Sequence, residues 1–208
     1  MKSKHLIFDF DGTLADSMQV YVSIFNTFAI RDNFPLLTTE SIAELRKKTY
    51  GELFKYLKLP FYKLPGYLME ARNMLIEKRT KLEIFPEIAE TLKELSKKHT
   101  LYLLTSNDLP VVEAFLKRQK LTVFEHIASE KNLFRKDRGL LKIIKHYNLD
   151  PQNTWYIGDE MRDMNAARKV GIHSVAVTWG FHDKSILETA SANHIVDTPK
   201  QLAAVMLD

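Results

Sequence analysis

The sequence predicts an α/β protein, a parallel sheet covered by helices and interrupted after its first strand by an all-helical insertion. Three observations lead there. Short apolar runs end in small polar or acidic residues at "HLIFDF" (5–10), "TLYLLTSND" (100–108) and "TWYIGDE" (154–160). After Pro86, amphipathic stretches of helical spacing separate such runs, and that alternation builds parallel sheets buried on both faces. Between Ser17 and about Lys81 the spacing is helical, with no strand pattern.

Taken in order, "HLIFDF" reads as a buried strand closed by a turn at Asp11-Gly12. Asp16 and Ser17 start the first helix of the insertion, "VYVSIFNTFAI". "TTESIAELRKKTYGELFKYL" follows with Thr39 as N-cap, then "LPGYLMEARNMLIEKRTKL", with Pro60, Pro65 and Gly66 marking a connection between helices. Beyond Pro86 come the helix "PEIAETLKELSKKH", the strand "TLYLLTSND", the helix "LPVVEAFLKRQKL" and a short strand "VFEHIAS". The helix "RGLLKIIKHYNL" precedes the strand "TWYIGDE", and "MRDMNAARKVG" is a helix stopped by Gly171, well placed for a left-handed C-cap. The strand "IHSVAVTWG", the helix "KSILETAS", the strand "HIVD" and a helix opening at Pro199 finish the pattern. The expected organisation is a core of residues 1–14 and 86–208 and a helical cap of residues 15–85.

Composition sets limits. With 208 residues, 45% apolar and 27% charged, the chain is an ordinary globular protein. It has no cysteine, which excludes a disulfide scaffold and thiolate metal sites. The net charge of +4 is spread over Lys47-Lys48, Lys97-Lys98 and Arg135-Lys136-Arg138, without the interleaved aromatics of a nucleic-acid platform. No apolar run is long enough to span a bilayer, the N-terminal one is too short for a signal peptide, and a cytoplasmic address is the expectation. The seven histidines form no HxxxH or HxH pair that would point to zinc.

Open α/β sheets bind ligands outside the carboxyl ends of their strands. Past the first strand stand Asp9, Asp11, Gly12 and Thr13; past the second, Thr105, Ser106 and Asn107; past the fourth, Gly158, Asp159 and Glu160. Asp9, Asp11 and Asp159 together are too many negative charges for a site without a cation. Mg²⁺, which takes one or two carboxylates, keeps waters and accepts substrate phosphate, resolves the imbalance. Thr105 and the N–H groups after it suit phosphate oxygens, and Lys136 is the leading cation, with Lys131 and Lys142 left open. One carboxylate can then attack phosphorus, and the second can protonate the leaving oxygen.

"DFDGTLADS", "LLTSN", Lys136 and "YIGDEMRD" resemble, in order and spacing, the four motifs of the haloacid dehalogenase-like hydrolase superfamily. The resemblance covers the whole chain and implies a Rossmann-like parallel-sheet core with an inserted helical C1 cap. The insertion is similar to the caps of the phosphoglycolate phosphatase and β-phosphoglucomutase group, and "GDEMRDMNAARKVGIHSVAVTWGF" looks most like the phosphoglycolate phosphatase-like branch. By position it implies Asp9 as nucleophile and Mg²⁺ ligand, and Asp11 as general acid/base that gives its backbone carbonyl to Mg²⁺. Thr105, with Ser106 and Asn107 beside it, would bind phosphate, and Lys136 would clamp nucleophile and phosphate. Asp159 would ligate Mg²⁺, supported by Asp163, with Glu160 a weaker substitute, and Thr13 belongs to the supporting set. The chain departs from many relatives in having Lys136-Asp137 where they have Lys-Pro.

Plain structural readings stand beside these. Asp11-Gly12 alone is a turn, Thr105-Ser106-Asn107 can cap a helix, and Asp159-Glu160 can complement a helix dipole. Trp179 and Phe181 either line the cleft or pack in the core, and Arg46, Lys47, Lys48 and Tyr50 either select the leaving group or form a solvated helix face. The leading activity is a Mg²⁺-dependent phosphatase on a small-molecule phosphomonoester. A phosphomutase, a catalytically idle scaffold and a response-regulator-like binding module are the alternatives, the last lacking a cap and a DxDGT. The sequence names neither the substrate nor the oligomeric state.

Overall fold

The computed structural model describes residues 3–57, 61–132 and 135–208. The first half runs β1 (His5–Phe8), β2 (Ala15–Asp16), α1 (Met18–Asp32), α2 (Thr39–Leu45), α3 (Tyr50–Tyr56), α4 (Leu64–Lys78), β3 (Glu83–Ile84) and α5 (Ile88–Leu95). Then come β4 (Thr100–Thr105), α6 (Leu109–Arg118), β5 (Phe124–Ser129), α7 (Lys136–His146) and β6 (Thr154–Gly158). The chain ends with α8 (Met161–Val170), β7 (His173–Val177), α9 (Lys184–Leu187), β8 (His194–Val196) and α10 (Pro199–Leu207).

Six strands form a parallel sheet in the order β5-β4-β1-β6-β7-β8. The chain starts in the middle, builds outward to β5, returns to β6 and builds outward again to β8. That reversal opens a crevice at the carboxyl ends of β1, β4 and β6. Side chains alternate along each strand. Leu6, Phe8, Leu101, Leu103 and Ile157 pack on one face with Ile88 and Leu92 of α5, Phe115 of α6 and Leu202 of α10. Ile7, Tyr102, Leu104 and Tyr156 pack on the other with Leu140 and Ile143 of α7 and Ala167 of α8. Each fully buried Leu or Ile contributes about 1.5–3 kcal/mol, so both faces of the site's platform are held by many such residues.

Between β2 and β3 the described elements are helical. Val20, Ile24 and Phe28, spaced four apart on α1, pack with Tyr67 and Leu75 of α4 in the cluster that also holds the sheet residues. The segment is not purely helical, however: Ala15 pairs with Ile84 and Asp16 with Glu83 in an antiparallel ribbon. Strands of two residues leave no periodicity to read, so Asp16 lies in β2 rather than starting a helix, while Ser17 occupies the α1 N-cap position. The long stretch starting at Thr38 divides into α2 and α3. Thr38, not Thr39, caps α2, accepting from Ser41 N at 3.3 Å. Thr49 caps α3 reciprocally with Glu52, whose Oε2 accepts from Thr49 N at 2.8 Å. Pro65 and Gly66 lie in the first turn of α4, where a missing N–H costs nothing, and Pro60 lies outside the described residues. No helix among the described residues is long and apolar enough to cross a membrane.

Candidate active site

Asp9 directly follows β1, and its N–H still bonds Ile157 O of β6 at 2.8 Å. This fixes it in register at the crevice. Its Oδ1 accepts from Phe10 N at 2.8 Å, and its Oδ2 accepts from Lys136 Nζ. Lys136 is the first residue of α7 and only 2% exposed. The same ammonium donates to Asp163 Oδ1 at 2.5 Å, while Asp163 Oδ2 accepts from Glu160 N at 3.1 Å and so caps α8. Asp159 is fully buried after β6. Thr13 Oγ1 donates to its Oδ1 at 2.9 Å, and Phe181 N donates to its Oδ2 at 2.7 Å. One carboxylate oxygen from each of Asp9, Asp159 and Asp163 lies within 4.8 Å of the others.

Burial pushes the Asp9 carboxyl up to about 6, with Lys136 opposing and the Asp163 charge adding to the rise. Burial, then the charges of Asp163 and Asp9, push Asp159 up to about 8. Burial lowers Lys136, but the charges of Asp163 and Asp9 outweigh it and hold the ammonium above its ordinary value. Asp9 and Asp163 thus share one ammonium, with Asp159 beside them, among hard oxygen donors only. That donor set fits Mg²⁺.

Across the crevice Asp11 is half-buried, and its Oδ2 accepts from Asn107 Nδ2 at 3.2 Å. Burial raises its carboxyl above the usual range, against the Ser17 hydroxyl and the Asn107 amide, which lower it. Thr105 ends β4, buried, with its Oγ1 accepting from Asn107 N at 2.9 Å. Ser106 Oγ is buried without a hydrogen-bond partner among the described residues. An unpaired buried hydroxyl costs about 1–3 kcal/mol, which an incoming oxygen would recover. Lys131 and Lys142 instead pair with Asp108 and Glu130 in solvent, at 2.8 and 3.2 Å. Asp137, where many relatives have proline, is buried and accepts from Lys169 Nζ at 2.5 Å.

The loop of residues 178–183 closes the crevice from the β7 side. The Trp179 ring packs against the core, the second of its sequence readings, and its Nε1 donates to Thr13 O at 3.1 Å. The Phe181 ring meets Tyr21 edge-on at 5.7 Å, above its N–H bond to Asp159. A Cβ on Gly180 would lie 2.2 Å from Gly12 O and 2.3 Å from Asp159 Oδ2, so only glycine fits. From the helical segment, Tyr50 donates to Glu160 Oε2, and Arg162 binds Glu160 Oε1 at 2.5 Å while lying 5.2 Å over the Tyr50 ring. Arg46 donates to Thr178 O at 3.0 Å and Phe181 O at 3.3 Å. Lys47 pairs with Glu44 in solvent at 2.9 Å, and Lys48 is half-buried in the same turn. Glu160 thus faces Tyr50 and Arg162, and Asp163 rather than Glu160 joins the acidic cluster.

A family model described as haloacid dehalogenase-like hydrolase matches residues 6–177. The chain belongs to this family. It is 34% identical over 199 residues to a phosphoglycolate phosphatase of Synechococcus elongatus, covering 95% of this chain and 94% of that protein. It is 25% identical to an N-acetylmuramic acid 6-phosphate phosphatase of Pseudomonas putida, covering 99% and 97%. A haloacid dehalogenase-like family hydrolase from Streptococcus pneumoniae superimposes with a TM-score of 0.84 at 25% identity, covering 98% of both chains. Within this haloacid dehalogenase-like hydrolase, the sequence reading named Tyr50, Glu160 and Phe181 as candidates but missed Gly180, Arg162 and the contacts that join them. The Tyr50–Glu160, Phe181–Asp159 and Gly180–Gly12 approaches join residues distant in the chain, and the glycine in "TWGF" was the signal that could have pointed to the last.

Proposed function

We propose that this haloacid dehalogenase-like phosphatase hydrolyses a small-molecule phosphomonoester with Mg²⁺, through an aspartyl-phosphate on Asp9. The observation that carries the reading is the buried Lys136 ammonium held between Asp9 and Asp163 beside Asp159. Asp9, Asp159 and the backbone carbonyl of Asp11 would hold the Mg²⁺, with Asp163 and Thr13 supporting them. When bound, the ion would offset charge on the carboxylates and the phosphoryl oxygens. Asp9, ionised above about pH 6 even without it, attacks phosphorus, and the bond to the leaving oxygen breaks. Asp11, whose raised affinity suits a proton carrier, gives that oxygen its proton. It then takes a proton from water, whose oxygen attacks phosphorus and releases Asp9. Lys136, Thr105, Ser106 and Asn107 hold the phosphoryl oxygens.

In the same reading, residues 1–14 and 86–208 form the catalytic core domain and 15–85 a cap domain that closes over it. The 34% identical phosphoglycolate phosphatase favours a substrate of that size and charge. Release of phosphate from p-nitrophenyl phosphate and a panel of metabolite phosphomonoesters, with Mg²⁺ and with EDTA, tests the reading. Mg²⁺-dependent turnover lost in Asp9→Asn is expected. Equal turnover in EDTA, or in Asp9→Asn, would refute it.

A further inference from the structure

The 178–183 loop is held from three sides. Trp179 Nε1 ties it to Thr13 O, Gly180 lies against Gly12 O and the Asp159 carboxylate, and Arg46 ties it to the helical segment. The last tie is reciprocal. Arg46 Nη2 donates to Thr178 O at 3.0 Å and Nε to Phe181 O at 3.3 Å, while Asp183 N donates back to Arg46 O at 3.1 Å. The planar fork of a guanidinium bridges two carbonyls three residues apart, which a lysine ammonium on its flexible stem does less well. Between the two bridged carbonyls lies the Phe181 N–H that donates to Asp159 Oδ2. With Thr13 on the other oxygen, Asp159 is held at both ends. Loss of either bond frees the carboxylate to turn about its last torsion, which is broad and weakly restrained.

We propose that Arg46 is a positioning residue for Asp159. Its side chain, from the α2–α3 turn, fixes the 178–183 loop where the Phe181 N–H orients the carboxylate toward a divalent cation. Docking of that turn and readiness of the metal site are therefore one event. Groups that orient metal ligands typically contribute 10–100-fold in metal affinity. The inference rests on the Mg²⁺-dependent reading above.

The test is Mg²⁺ titration calorimetry on the full chain, wild type beside Arg46→Met, Arg46→Lys and Lys47→Met. KM and kcat for p-nitrophenyl phosphate at saturating Mg²⁺ are measured alongside. The Mg²⁺ dissociation constant is expected to rise about tenfold in Arg46→Met, less in Arg46→Lys, and not at all in Lys47→Met, with KM unchanged. Equal Mg²⁺ affinity in Arg46→Met and Lys47→Met would overturn the proposal. So would a raised KM with unmoved Mg²⁺ affinity, which would make Arg46 a substrate contact. If Arg46→Met does not fold, Arg46→Lys decides, and wild-type affinity in it overturns the proposal. A wild-type chain that binds no Mg²⁺ removes both this inference and the phosphatase mechanism; one that binds and turns over, with indifferent Arg46 variants, removes the inference alone.

Discussion

Replacing Gly180 by alanine puts a methyl group where backbone and carboxylate already meet. The new Cβ would sit 2.2 Å from Gly12 O and 2.3 Å from Asp159 Oδ2, against an ordinary separation of about 3.5 Å or more. The loop must therefore withdraw by about 1 Å. That stretches the 2.7 Å bond from Phe181 N to Asp159 beyond hydrogen-bonding range. Forcing an extra methyl into a packed site costs about 1–3 kcal/mol, so urea denaturation in EDTA should show a loss of about that size. Mg²⁺ affinity should fall as well. Gly171→Ala is the control. It sits at φ +76° with open space around it, so it should cost about 1–2 kcal/mol of backbone strain and leave Mg²⁺ binding alone. If Gly180→Ala binds Mg²⁺ as tightly as Gly171→Ala, the claim that this loop orients Asp159 by close packing is wrong.

Lys136→Met leaves Asp9 and Asp163 buried without their shared ammonium. At pH 8 without Mg²⁺ it should cost about 3–5 kcal/mol, partly recovered on adding Mg²⁺; an unchanged denaturation midpoint would show that the ammonium is not what balances them. Asp11→Asn should keep Mg²⁺ binding, because a backbone carbonyl remains, yet lose turnover; full activity would remove Asp11 from proton transfer. His182 accepts from Met161 N at 3.0 Å and faces Tyr50, Arg162, Arg46, Asp183 and the more distant Asp163. Burial first, then Arg162 and Arg46, lower it from 6.5 to about 4, while Asp163 and Asp183 oppose. Because the unfolded chain takes up this proton first, the stability His182 contributes above pH 6.5 is lost as pH falls toward 4. Between pH 8 and pH 5 the loss is about 2 kcal/mol. Denaturation of His182→Asn should show a shallower decline by that amount, and parallel declines would refute it.

The sheet was legible because its strands are short apolar runs ending in polar clusters, and because the order of those clusters implied one shared edge. That edge assembled Asp9, Lys136, Asp159 and Asp163, and the choice among Lys136, Lys131 and Lys142 needed the folded chain to show which ammonium is buried. The break between α2 and α3 was in fact written locally, since Thr49 and Glu52 have capping-box spacing. The apolar periodicity running through it masked the signal. Arg46, Tyr50 and Phe181 stood out in the sequence as cleft candidates, but nothing local marked their partners, which lie 135, 110 and 22 residues away. Such contacts depend on how segments distant in the chain come together, which periodicity does not encode.

The β2–β3 ribbon has a consequence for ancestry and engineering. Because Ala15 faces Ile84 and Asp16 faces Glu83, the chain leaves the sheet and returns to it at one doorway. Connections beyond that doorway that do not join the hydrophobic core can change in length while the sheet keeps its register, since both ends stay pinned side by side. Loop-closure cost grows by only about 0.6 kcal/mol per doubling of length. The length of the segment is thus cheap to vary at its tips, whereas α1, α4 and the turn that carries Arg46 and Tyr50 are tied to the sheet and its acids and have to be kept.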